Sequence, residues 1–166
     1  MDKLEKYTSA LLEKGAFAAG VIYTSKIITA PWTIMKCRYG CPRFGHNRSC
    51  PPFAPCHSET RQILDSFSRA IIFGVRAMDS GTPLAIECAR MLARDGYYKA
   101  IPFGTGPCTL CENCTPHSCP CPEKTAPSME ACGIDVIGTV RAAGYHINPA
   151  PAPGEPLSCY GLILVD

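Results

Sequence analysis

Chemistry in this chain is most readily expected from its cysteines, which number 12 in 166 residues. Five of them, Cys108, Cys111, Cys114, Cys119 and Cys121, fall within the single stretch GPCTLCENCTPHSCPCPEK. Free thiols at that density oxidise or gather metal, so the chain must employ them as disulfides, as zinc ligands or as ligands of an iron–sulfur cluster. Cys108, Cys111 and Cys114 form C-x2-C-x2-C, and Cys119-Pro120 follows after four residues. The bacterial ferredoxin run is C-x2-C-x2-C-x3-C-P, so this stretch differs from it by one inserted residue. Two residues between cysteines let the backbone wrap tightly enough for three sulfurs to reach three irons of one cuboidal cluster. The proline then turns the chain away after the fourth sulfur. Zinc sites more often pair two C-x2-C knuckles across a longer span. The spacing points to metal, and to iron–sulfur ahead of zinc. Cys121, also followed by proline, is an alternative to Cys119 as a ligand.

A second polar stretch, KCRYGCPRFGHNRSCPPFAPC, carries Cys37, Cys41, Cys50 and Cys56 at spacings x3, x8 and x5, a weak pattern taken alone. Cys50 precedes Pro51 and Pro52, which repeats the Cys-Pro ending of the other stretch. Lys36, Arg38, Arg43, His46 and Arg48 surround these thiols. Cations beside an anionic four-thiolate cluster stabilise it and raise its potential, while a solvated basic loop is the plainer account of each side chain. Cys88 lies on the apolar face of a helical pattern and reads as a small buried hydrophobe, and Cys132 and Cys159 are read the same way. His57, His117 and His146 have no partner at zinc spacing.

The elements that must position these loops follow from periodicity. Leu4, Tyr7, Leu11 and Leu12 recur at helical spacing and end at Gly15. AAGVIYTSKIITA reads as a strand, as do AIIFGV, YYKAIPF and the last apolar segment CYGLILV. Ser58 can cap a helix carrying Ile63, Leu64 and Phe67, and Leu84, Cys88, Met91 and Leu92 share one helical face. Asp135 can cap a helix through Val136 and Val140 to Gly144. The expected fold is α/β or α+β: a single domain over residues 1–166 with a central mixed sheet, flanking helices and two long cysteine-rich cluster-binding loops at 36–57 and 106–124. Loops hung from strand ends are where sites usually lie.

Hydrophobic content of 46% and charged content of 18% suit an ordinary globular protein, and a net charge of +2 gives no reason to expect nucleic acid or an anionic membrane as partner. No apolar run approaches the ~20 residues that span a bilayer. The charged, amphipathic start MDKLEKYTSALLEKG lacks the apolar core of a signal peptide. A reducing cytoplasm is therefore the expected location, and disulfides rarely persist there.

Together, KCRYGCPRFGHNRSCPP, GPCTLCENC, CPEKTAPSMEACGIDV and the terminal GLILVD resemble the family known as predicted metal-binding protein, domain of unknown function 2284. The resemblance runs from about Cys37 to the C-terminus. It implies an iron–sulfur protein of the kind found largely in anaerobic archaea and bacteria. It also implies a ligand set of Cys37, Cys41 and Cys50 in the first loop and Cys108, Cys111, Cys114 and Cys119 in the second. Cys56 and Cys121 stand outside that pattern.

Seven such cysteines do not fill two sites of four. Either Cys56 completes the first, or one iron is open to another ligand, or Cys119 and Cys50 cross between sites as in two-cluster ferredoxins. Two 4Fe-4S clusters passing single electrons to a redox partner protein are the expected function. FGTGP at 103–107 lacks both the G-x-G-x-x-G form and a following helix, so it is no dinucleotide loop. The alternatives are an enzyme with an open iron acting as Lewis acid, and a zinc-stabilised structural or assembly module.

Overall fold

The computed structural model describes residues 3–166; the first two residues of the charged N-terminal stretch lie outside the described residues. Helix α1 (Glu5–Glu13) forms where the apolar period requires it, burying Tyr7 and Leu11, while Leu12 stays 45% exposed. Strand β1 (Ala18–Tyr23) is shorter than the β-branched run that encodes it. The chain leaves the strand at Thr24, whose hydroxyl donates to the Phe67 carbonyl, and a 3-10 turn over Thr24–Lys26 follows.

Helix α2 (Thr33–Gly40) stands where the residues suggest only the approach to an irregular loop. Its sequence TIMKCRYG buries Thr33 alone, so it lacks the apolar stripe by which a helix is recognised. Helix α3 (His57–Leu64) is followed by β2 (Arg69–Val75), α4 (Gly81–Arg94) and β3 (Ile101–Phe103), the last much shorter than YYKAIPF suggests. Helix α5 (Val136–Ala142) starts at Asp135, whose Oδ1 accepts from the Gly138 amide at 2.9 Å. Strand β4 (Cys159–Leu164) ends the chain's regular structure.

The four strands form one sheet in the order β1-β2-β4-β3. The fold class is α+β with flanking helices, but the sheet expected to be mixed is antiparallel at every pairing. Strands β2 and β3 do run parallel to each other, joined across α4. Strand β4 returns from the chain's end to lie between them, so the two parallel strands are never neighbours.

Alternation along the central strands divides the core in two. Ala70 and Ile72 of β2, with Tyr160, Leu162 and Leu164 of β4, face Leu64 of α3 and Val136 and Val140 of α5. Ile71, Phe73 and Val75, with Ile163, face Leu4, Tyr7 and Leu11 at the α1 side and Ala85, Cys88 and Leu92 of α4. Cys88 is 3% exposed, as its helical spacing predicts, and Cys132 is fully buried in the other core. Among the described residues no helix is long and apolar enough to cross a membrane.

Candidate metal centre

The two cysteine-rich loops come from opposite ends of this sheet. Strand β1 ends at Tyr23 beside Arg69, where the first loop's connection begins and ends. By contrast, β3 exits at Phe103, level with Ile72 and heading toward the Val75 end. Strand β3 runs directly into the second loop, and its exit is anchored to α4: the Thr105 amide donates to Thr82 Oγ1 at 3.1 Å. The far end of that loop is tied to the same helix by Arg90, whose guanidinium donates to the Glu123 carbonyl at 2.8 Å. A chain pinned at both ends is free to curl between them. There, Cys108, Cys111, Cys114, Cys119 and Cys121 surround one small cleft with Asn47, Arg48, Pro120 and Thr125. Cys121, outside the family pattern, lies among the other four; burial and then the neighbouring Cys111 and Cys119 push its thiol up.

Cys37 projects from α2, Cys41 follows that helix directly, and Cys50 is 8% exposed further along the loop. All three line one end of a cavity of about 510 Å³. Burial raises the Cys50 thiol to about 11, and Cys37 is raised by burial and then by Cys41 and Glu130. Thiols held neutral by burial become thiolates only where a cation compensates the charge, which is what a bound metal supplies.

Cys56 does not join them. It precedes α3, its amide donating to Glu59 Oε2 at 2.9 Å and its sulfur lying 3.1 Å from Ser58 Oγ. It lines neither the cleft nor the cavity. The crossed arrangement finds no counterpart either: Cys50 lies with Cys37 and Cys41, and Cys119 with the second loop.

Asn47 and Ser49, which the sequence pattern does not single out, join the two sets. Asn47 is 1% exposed; its Nδ2 donates to the Cys108 carbonyl at 2.8 Å, and its Oδ1 accepts from the Ser49 amide and hydroxyl. Ser49 Oγ in turn accepts from the Cys108 amide at 3.1 Å. The Arg48 amide donates to Cys114 Sγ at 3.4 Å, and its guanidinium to the Pro116 carbonyl at 2.7 Å. Arg48, expected beside the first-loop thiols, therefore serves the second loop. Lys36 and Arg38 lie instead over the rings of Trp32 and Phe44.

A 3-10 turn over Glu130–Cys132 closes the cavity near Cys37. Gly133 behind it has φ +77°, and a Cβ there would stand 2.6 Å from the His57 backbone, so only glycine lets this turn press against α3. The Thr60 hydroxyl completes the joint by donating to the Cys132 carbonyl at 2.6 Å. Glu130 is exposed along the cavity wall, and desolvation by the residues around it pushes its carboxyl above the usual range.

Among the described residues no three His, Cys, Asp or Glu side chains are gathered closely enough to hold a single ion. Each sulfur set is instead spread around a space, and its donors are the soft thiols that iron–sulfur clusters and structural zinc both use. Fold and loops thus define a cysteine-rich metal-binding α+β protein. The chain belongs to the family described as Predicted metal-binding protein (DUF2284), whose model matches residues 20–165. No curated protein and no solved structure matches it.

Proposed function

We propose that this protein is an iron–sulfur electron carrier with two centres, one on Cys37, Cys41 and Cys50 and one on Cys108, Cys111, Cys114 and Cys119, serving a redox partner protein in the anaerobic metabolism of the cytoplasm. The observation that carries the reading is the strap from Asn47 to Cys50. Cys50 belongs to the first set, and two residues before it the Arg48 amide donates to Cys114 Sγ of the second. A short run of covalent bonds and one N–H···S bond therefore connects the sets. Amide donors to cluster sulfurs are a main means by which a protein tunes reduction potential. When bound, such clusters exchange one electron at a time. What the chain contributes is a fixed separation, set by Asn47 and Ser49, and sulfurs of graded exposure, from buried Cys50 through the half-buried second-loop thiols to exposed Cys41.

The ferredoxin-like C-x2-C-x2-C run and the extra thiol of Cys121 favour a fully ligated second centre. Anaerobically purified protein is expected to be brown, with iron and acid-labile sulfide near eight of each per chain for two 4Fe-4S clusters. On reduction, its EPR spectrum should show two interacting spins. Stoichiometric zinc without sulfide would overturn the reading in favour of a structural module. A second reading, an enzyme with an open iron, draws on the cavity that adjoins only the first set.

A further inference from the structure

An iron–sulfur cubane and a structural zinc ion both take four donors as a rule, and the first loop brings three thiols to the cavity, Cys37, Cys41 and Cys50. Cys56, which could have completed them, lines no part of it. A fourth donor from this chain therefore has to come from elsewhere in the wall. Among acids, thiols and imidazoles, the wall offers Asp135, Cys159 and Glu130.

Two of these are committed elsewhere. Asp135 begins α5, and its Oδ1 accepts from the Gly138 amide at 2.9 Å, so its carboxyl is turned to that helix. Cys159 starts β4 and packs against the core on the α1 and α4 side. Burial and then Glu130 raise its thiol, and no first-loop cysteine contributes. Glu130 stands differently. It is the one exposed residue in an otherwise buried run from Ser128 to Ile134, so the 3-10 turn presents this side chain alone to the cavity. The turn is a firm mount. Gly133 presses it against α3, the Thr60 hydroxyl donates to its Cys132 carbonyl, and α2 packs on it. Because α2 carries Cys37, carboxylate and thiol are neighbours, and after burial and Cys41 it is Glu130 that raises the Cys37 thiol.

Side by side, a carboxylate and a thiolate repel each other, and among the described residues no protein cation forms an ion pair with Glu130. Lys36, the cation of this wall, is exposed and rests over the Trp32 ring. A metal between carboxylate and thiolate reverses the sign, because it attracts both. We propose that Glu130 is the fourth protein ligand of the first centre, its carboxylate binding the metal on the cavity side while Cys37, Cys41 and Cys50 bind from the loop side. The inference rests on the two-centre reading above for the nature of the metal group, and on the cavity wall for the donor. Carboxylate oxygen is a harder donor than thiolate and suits iron–sulfur chemistry less well. The Glu130 corner is therefore the exchangeable one, and it opens on a chamber of about 510 Å³.

The test is Mössbauer spectroscopy of anaerobically prepared holo-protein enriched in the iron isotope it reads, with iron release to EDTA followed alongside. The parent is expected to show about one iron in eight with the higher isomer shift of oxygen ligation. Glu130→Cys should convert that iron to the thiolate signature at full iron content. Glu130→Gln, a neutral amide of the same size, should release it at least about tenfold faster, while Cys159→Ala should hold it like the parent. A parent with only thiolate-type iron overturns the proposal. So does a Glu130→Cys variant that keeps the oxygen signature, a Glu130→Gln variant that holds iron like the parent, or a Cys159→Ala variant that loses it. Metal and sulfide analysis of the parent tests the cluster reading separately. Zinc without sulfide would overturn that reading, and zinc release then decides the ligand. Release from Glu130→Gln at least about tenfold faster than from the parent supports Glu130, and equal release overturns it.

Discussion

At the scale of single residues, the structure gives Asn47 and Cys56 opposite importance from the one their neighbours in sequence suggest. Asn47 is buried and spends both ends of its amide on holding the loops together, on Cys108 in one direction and Ser49 in the other. Asn47→Ala strands the Cys108 carbonyl and frees Ser49, and a buried polar group left without its partner costs about 2 kcal/mol. The expected outcome is a lower thermal midpoint together with loss of the spin interaction between the two centres in EPR. A variant that is destabilised with its spin interaction intact would show that Asn47 is structural support only. Cys56 carries a thiol into a cysteine loop yet serves as the residue before α3. Serine accepts from helix amides better than cysteine at such a position. Cys56→Ser should therefore keep the full iron and sulfide content of the parent and melt at the same temperature or slightly higher. Loss of half the iron would show that Cys56 reaches the first centre after all.

At the scale of elements, two joints decide how well the site is held. The turn over Glu130–Cys132 meets α3 at Gly133, where any side chain would need an unfavourable positive φ and displace the His57 backbone. Gly133→Ala should cost about 2 kcal/mol, most of it local strain. It should also open the cavity wall, read as increased hydrogen exchange at residues 129–134 before any change in the sheet. The other joint attaches α1 to the end of α4. Asp95 accepts from Lys6 Nζ and from the Tyr7 hydroxyl, each at 2.6 Å, and these two donors, Lys6 first, hold its carboxyl below the usual carboxylate range. A carboxyl whose pKa is lower folded than unfolded adds stability that is complete above its unfolded value of about 4 and is lost as pH falls through the folded value. Thermal midpoints between pH 7 and pH 3 should show this as a decline below about pH 4 that Asp95→Asn reduces. An identical acid profile in the variant would assign the decline to other carboxylates.

At the scale of the whole molecule, the cysteine-rich loops and the cores are separate parts of the fold. None of the seven expected ligand cysteines belongs to either apolar core, whereas Cys88 and Cys132 do. Removing metal should therefore release the loops at 36–57 and 106–124 and leave the sheet protected, because loops with few buried apolar groups depend on their ligand for order. Hydrogen exchange on metal-free and metal-loaded protein checks this, and unchanged protection around Cys108–Cys114 would show that the loops fold unaided. The converse holds for Leu162, fully buried in the centre of β4. Leu162→Ala should cost about 3 kcal/mol of global stability while the surviving folded protein keeps its metal.

What lay open in the sequence was local. The helical period of Tyr7 and Leu11, the aspartate before α5, the β-branched runs of β2 and β4 and the short cysteine steps each act over a few residues, and backbone geometry translates them directly. The same local chemistry marked Cys88 as core and the chain as metal-binding. Helix α2 escaped because its eight residues bury only one side chain, so no stripe records it. Pairings between distant segments were settled by packing alone. Strand β4 separates β2 from β3 because its apolar side chains fill both cores at once, which no single segment encodes. Asn47 meets Cys108 across 61 positions, a contact that no local pattern announces. The residue types marked this chain as cysteine-rich and metal-binding; the tertiary structure decided which sulfurs share a space, what joins the two sets, and that only one of them faces a chamber.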